Sequence, residues 1–249
     1  MNFKTNPLVA IVNLSLLILL AAGTANAQIK PDLSELDKKS GVDATLEGNL
    51  LKIDWDAGEN VSGAQLTGRL VLSLKPHEAL FHSIQLGEDD VFREIGHAVD
   101  PVFLLTVGKR DLGVDRNDTK LGWTIFFDNP FSRPFETYPV ELEKQNLKVK
   151  SDGSQTCITI DGAQAGPFSG GIAITLFRGS PLLNMAAVMR TERDSLAIIY
   201  DAGLVNRERP WEKIFWADPQ DYLQGHITSP QEQAQTLAVK YRTIIGQGE

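Results

Sequence analysis

The sequence predicts an all-β fold, a large antiparallel β-sandwich of about fourteen short strands. Three observations carry that prediction. From Ala44 onward, short apolar or alternating runs recur at even spacing, each closed by Gly, Pro, Asn or Asp. Helical periodicity shows only at two margins of the chain. And the stretch Phe168 to Leu204 holds three consecutive strand-like runs, the first of them apolar on both faces, as expected of a layer covered on each side. No repeat of fixed period is visible, which argues against a propeller or a solenoid.

The first 27 residues precede the fold. Lys4 is their only charge, Leu8 to Ala22 is mostly apolar, and Ala25-Asn26-Ala27 is an A-x-A cleavage signal. That order is the order of a secretory signal peptide, with an apolar run short for a bilayer span. No Cys follows the run, so a lipid anchor is not expected. The mature, exported (periplasmic or extracellular) protein would begin at Gln28, with no membrane attachment after cleavage. Residues 28 to 43 are a polar lead-in, in which Pro31 to Leu36 could start one short helix. Residues 44 to 249 make a single sandwich domain.

Within that domain Gly48-Asn49 signals a turn, after which Leu51, Ile53 and Trp55 share one face while Asp54 and Asp56 take the other. Leu70, Leu72 and Leu74 are in step on the next strand, and Ala79 to Leu86 is another. Glu88-Asp89-Asp90 is an acidic turn, Val91 to Ala98 lacks a clear period, and Pro101 to Val107 is strand-like. Lys109 to Asp118 is a polar loop, and Trp123 to Phe127 resumes the sheet. Phe135 to Glu143 alternates. Ser151-Asp152-Gly153-Ser154 then joins two strands as a hairpin.

In the central stretch Ile172, Ile174 and Leu176 alternate with Ala173, Thr175 and Phe177. Arg178-Gly179-Ser180-Pro181 turns the chain, Leu182 to Arg190 follows, Thr191 to Asp194 turns again, and Leu196 to Tyr200 completes the set. Ile174, Val188 and Ile198 are thereby expected in one shared core. Trp211 to Trp216 and Tyr222 to Ile227 are two further strands. In the tail, a helical turn near Pro230 followed by a strand through Leu237 to Ile245 is expected. The chain closes shortly after the apolar pair Ile244 and Ile245, which raises the expectation of a domain cut from a longer protein with a missing C-terminal partner domain.

Composition excludes some classes of partner. Formal charge is −8, one unit more negative once Lys4 is removed, and no basic cluster interrupts it. Nucleic acid and anionic lipid both require a positive patch that this chain lacks. Its single cysteine, Cys157, cannot form an internal disulfide and reads as a buried strand residue. The histidines His77, His82, His97 and His226 show no metal-ligand spacing, although His82 and His97 could meet through the fold. Asp111, Asp115, Asn117 and Asp118 lack the Gly and the closing Glu of a calcium loop. No nucleotide-binding glycine fingerprint and no Gly-x-Ser-x-Gly elbow occurs. Neither a metal nor a cofactor is expected. Asn60-Val61-Ser62 and Asn117-Asp118-Thr119 are formal glycosylation sequons.

A glycosidase would need two carboxylates facing across a cleft, with Asp54, Asp56, Glu141, Glu143, Glu192 and Asp201 as the candidates. The aromatics suggest a gentler chemistry. An exposed Trp offers a flat apolar face to the C–H side of a sugar ring, and Arg beside it can clamp hydroxyls or a carboxylate. Arg178, Arg190, Asp201, Trp211 and Trp216 are the ligand-binding candidates; Trp55 and Trp123 belong to the same aromatic set, and all four Trp could equally fill the core.

The residues Phe177-Arg178-Gly179-Ser180-Pro181-Leu182-Leu183, Ala187-Val188, Thr191, Asp194 and Tyr200-Asp201-Ala202-Gly203-Leu204 resemble the N-terminal β-supersandwich domains, related to the galactose-mutarotase-like sandwich, of exported bacterial carbohydrate-active proteins. The resemblance implies a carbohydrate-associated domain, with polysaccharide or oligosaccharide as partner, that is non-catalytic alone and sits beside a downstream catalytic domain. It supplies no catalytic residue. A self-sufficient glycoside hydrolase or lyase, and a structural or interaction module of the cell envelope, are the alternatives.

Overall fold

A computed structural model describes residues 29–109, 134–206, 211–229 and 237–248. The strands are β1 (Asp32–Glu35), β2 (Val42–Glu47), β3 (Leu50–Glu59), β4 (Gln65–Ser73), β5 (Phe81–Glu88), β6 (Val91–Lys109), β7 (Phe135–Pro139) and β8 (Glu141–Leu142). There follow β9 (Leu147–Asp152), β10 (Gln155–Ala165), β11 (Phe168–Phe177), β12 (Leu183–Arg190), β13 (Leu196–Asn206), β14 (Lys213–Ala217), β15 (Leu223–Ile227) and β16 (Ile245–Gln247). They build two large sheets and one small one. The first sheet runs β1-β9-β10-β11-β12, with β8 beside the far end of β10. The second runs β13-β6-β5-β4-β3-β2, with β7 also on β6, and the third is β15-β14-β16. The fold is all-β, as the sequence predicts.

One apolar cluster joins the inner faces of the two large sheets. Leu51, Ile53, Leu70, Leu72 and Phe81 come from one side, and Ile158, Ile160, Ile172, Ile174 and Leu176 from the other. The alternation read from the sequence fixes these faces, because neighbouring side chains of a strand point to opposite sides. Trp55 locks the pair together. Its ring lies across Gly68, its partner on β4, and its Nε1 donates to the Ser180 carbonyl at 2.9 Å. Close by, the Gly179 N–H donates to the Asp56 carbonyl. Lys144 makes a second tie: its ammonium donates to the carbonyls of Ser73, Lys75 and Glu78 at 2.8, 2.9 and 2.8 Å. Burial lowers the Lys144 pKa from the ordinary lysine value.

Turn chemistry accounts for the hairpins. Gly48, Gly153 and Gly166 each take a positive φ at the first position of a two-residue turn, as that turn type requires. Asp89 and Asp90 both do so between β5 and β6. The missing period of Val91 to Ala98 also has a cause: the β5–β6 register slips at Ile84/Gln85 and Ala98 sits at φ 49, so the alternation breaks there. Pro101 lies between the end of the β5 pairing at Val99 and the start of the β7 pairing at Leu104, where a missing N–H costs no ladder bond on that edge.

Four expectations are corrected. Pro31 to Leu36 is no helix: Asp32–Glu35 forms β1, parallel to β9, and Leu33 and Leu36 pack on the core. Tertiary pairing overrides local propensity there. In the stretch from 168 to 204 the three strands stand where expected, yet β12 does not pair with β13, which crosses to β6 in the second sheet. Only Ile174 of the three expected core residues is buried; Val188 is 62% and Ile198 47% exposed. Val188 points outward from the edge strand β12, opposite Gly171. Ile198 shares a face with the buried Val107, and on β13 it is Leu196 that packs against the core. Finally, Leu237 to Ile244 is irregular and only Ile245–Gln247 is strand. The helical turn at Pro230, the polar loop after Lys109 and the strand at Trp123 lie outside the described residues.

β1 is held by charge. Glu35 pairs with Lys148 and Lys150 of β9, and the hydrogen bond from Lys148, then that from Lys150, lowers its pKa. A carboxylate depressed in the folded state stabilises it above the ordinary carboxylate range and loses that contribution as pH falls through the folded value. The β1–β9 pairing is therefore expected to loosen as pH falls below the ordinary carboxylate range. NMR shifts of Ser34 and Lys150 followed against pH check this; Glu35→Gln should show the loosened shifts already at neutral pH.

Candidate functional site

Among the described residues, two grooves on the sandwich bear on function. The larger, of about 770 Å³, borders the β2 end of the second sheet and is lined by Leu33, Val42, Asp54, Asp56, Gln65 and Thr67 among others. Asp54, Asp56 and Gln65 are occupied by the protein itself, whereas Lys38 and Asp43 of its lining carry no such pairing among the described residues. Arg69 grips Asp54 with two hydrogen bonds of 2.7 and 2.8 Å, directly across the β3–β4 pair, and its guanidinium stacks on Phe92 at 3.6 Å. Asp56 accepts from the Gly58 N–H and from Gln65, and stands 3.5 Å from Arg178. A ligand of Asp54, Asp56 or Gln65 would first have to break these pairs.

The smaller groove, of about 460 Å³, lies on the outer face of the first sheet. Its floor is β11, where Gly170, Gly171 and Ala173 carry little or no side chain. The walls are Thr159, Asp161 and Gln164 of β10 on one side and Val188 and Arg190 of β12 on the other, with Gln145 and Ser169 beside them. Register places Asp161 and Val188 on either side of Gly171, and Gln164 and Arg190 on either side of Ser169. The walls thus stand two strand spacings apart, roughly 9.5 Å. Beneath the trough β10 carries a bulge between Asp161 and Ala163; Gly162 takes φ 103 there, and its carbonyl accepts from the Glu143 N–H. The bulge turns Asp161 and Gln164 to the same outer wall although they are three residues apart.

In contrast to Asp54, Asp56 and Gln65 of the larger groove, the six polar side chains of Gln145, Thr159, Asp161, Gln164, Ser169 and Arg190 make no hydrogen bond or ion pair to other side chains or backbone among the described residues. Their donors and acceptors face water and remain available to a ligand.

Of the five residues singled out in the sequence, Arg190 alone lines this groove. Arg178 sits in the β11–β12 turn, against Asp56 and the Lys39 carbonyl. Asp201 is exposed on β13, opposite Leu104. Trp216 lies on β14 opposite Gln224 and Trp211 just before that strand, against Gly246; both are half-buried. The structure does not gather the five at one place. What the sequence reading missed is Asp161, Gln164 and the small floor. Their signal was present as Gly170-Gly171 and Ala173 alternating with Ile172 and Ile174, but Asp161-Gly162 reads as an ordinary turn.

Two other side-chain groups settle plainly. His82 and His97 do meet, edge to face with ring centroids 5.5 Å apart, and Glu94 is 3.1 Å from the His97 Nδ1. Cys157 is a strand residue, half-buried on the outer face and opposite Thr175. Among the described residues no group of three or more His, Cys, Asp or Glu is placed to hold a metal ion, and no helix is long and apolar enough to cross a membrane.

The chain matches no known protein family and no curated protein. The two large sheets are those of a β-sandwich in general, with nothing particular to a galactose-mutarotase-like one.

Proposed function

We propose that this is an exported, carbohydrate-associated β-sandwich module of the supersandwich kind, which holds a sugar chain in the trough over β11 and performs no reaction alone. The observation that carries the reading is the β11 trough itself: six polar side chains without partners among the described residues stand around a floor with almost no side chains, whereas Asp54, Asp56 and Gln65 of the larger groove are held by the protein. Hydroxyl recognition needs such a set, in which amides, hydroxyls, a guanidinium and a carboxylate supply both donors and acceptors. Val188 adds an exposed apolar wall for the C–H face of a ring. The resemblance places such a module beside a catalytic domain.

The hydrolase alternative finds less support. Asp54 and Asp56 share one face of β3, but their oxygens are taken up by Arg69, Gln65, Gly58 and the nearby Arg178. Glu141 and Glu143 lie exposed at and just after β8, Glu192 in the turn before β13 and Asp201 on β13. The interaction-module alternative has one observation of its own, the exposed Ile198, Ile199, Tyr200 and Leu204 along β13.

Calorimetric titration against a panel of soluble polysaccharides tests the proposal. At least one should bind, and Arg190→Ala should weaken it by about tenfold or more, the worth of a charge-assisted hydrogen bond, with an unchanged circular dichroism spectrum. Binding to none of the panel would overturn the reading and leave the exposed β13 face as the ground for an interaction role.

A further inference from the structure

Resting on the carbohydrate reading of the β11 trough, we infer that its occupant is an uncharged, hydroxyl-rich linear chain and not a uronate or sulfated one. The trough holds one cation, Arg190, and one anion, Asp161; Gln145, Thr159, Gln164 and Ser169 are neutral. Its local charge therefore sums to zero. On the neighbouring strand β9, Lys148 stands beside Thr159 and Lys150 beside Cys157. Each is already committed to Glu35, so neither is at hand for a second anionic group.

A polyanion laid along β11 would bring a negative charge against Asp161 for each one that Arg190 neutralises. It would also approach a chain of formal charge −8, whose long-range field slows anionic ligands. Hydroxyl groups meet no such penalty. Each donates to the Asp161 carboxylate and accepts from the Arg190 guanidinium, and the neutral amides serve in both senses. Direction follows from the walls: β10 and β12 flank β11 along its length, so the chain lies parallel to the strand. Positions 169 to 173 span about 13 Å at the rise of a strand.

The test compares neutral cello-, xylo- and manno-oligosaccharides with oligogalacturonate by calorimetry, using the full-length mature protein, at low salt and at about 0.15 M salt. Expected is binding of a neutral chain that changes less than about twofold with salt, and oligogalacturonate weaker by at least about tenfold. Asp161→Asn should narrow that gap by admitting the uronate, while Arg190→Ala weakens the neutral chain. Tightest binding by oligogalacturonate, steeply reduced by salt and lost in Arg190→Ala, would overturn the inference of an uncharged occupant and leave the carbohydrate reading standing. If neither class binds, the carbohydrate reading itself falls, and the inference with it.

Discussion

Trp55→Ala should lose about 4 kcal/mol of stability, the range for deleting a buried aromatic side chain. The indole is 3% exposed and lies so close over Gly68 that a β-carbon there would sit 2.3 Å from the ring. Its removal leaves a void that a two-sheet core fills poorly, because both backbones are fixed by their ladders. It also strips the Ser180 carbonyl of its donor. Trp55→Phe separates the two effects: most of the packing stays and the hydrogen bond goes, for a loss of about 1–2 kcal/mol. Urea unfolding midpoints at constant m-value measure both. A loss below about 1 kcal/mol for Trp55→Ala would mean that the ring does not bridge the sheets as described.

The second large effect joins fold to site. Gly162→Ala places a β-carbon 1.8 Å from the Glu143 carbonyl oxygen, on a backbone at φ 103. Neither the contact nor the conformation is tolerable for alanine, and relief requires the β10 bulge to open. A loss of about 3 kcal/mol or more is expected, together with the displacement of Asp161 and Gln164 from the trough wall. Gly153→Ala is the matched control. It too has a positive φ, but nothing stands within 4 Å of the added carbon, so about 1 kcal/mol should be lost and ligand binding kept. Equal losses for the two glycines would sink the view that the bulge is braced against the β8–β9 connection.

How far the residues alone could be read varies with the range of the forces involved. Alternation is local, and it placed Leu51, Ile53 and Trp55 on one face, Leu70, Leu72 and Leu74 on another, and Ile172, Ile174 and Leu176 on a third, all of them buried. Hairpin turns are local as well: Gly48-Asn49 and Asp152-Gly153 were legible because a positive φ needs particular residues. The strand over Asp32–Glu35 was not legible. Its partner β9 stands over a hundred positions away, and four residues beginning after Pro31 fit a helix start just as well.

The site follows the same division. Arg190 could be named from the sequence as a cation beside an apolar run. That Asp161 and Gln164 face it across β11 depends on a bulge whose only trace in the chain is one glycine.

By itself, then, the order of residues determined an all-β chain, its strand faces and most of its turns, since these depend on neighbours two to four positions apart. Only the tertiary structure decided which sheet each strand joins. Leu196 to Asn206 has the same alternation whether it sits beside β12 or beside β6, and the choice rests on pairings made across the whole chain. That choice left β12 as the edge of the first sheet and the outer face of β11 as an open trough between β10 and β12.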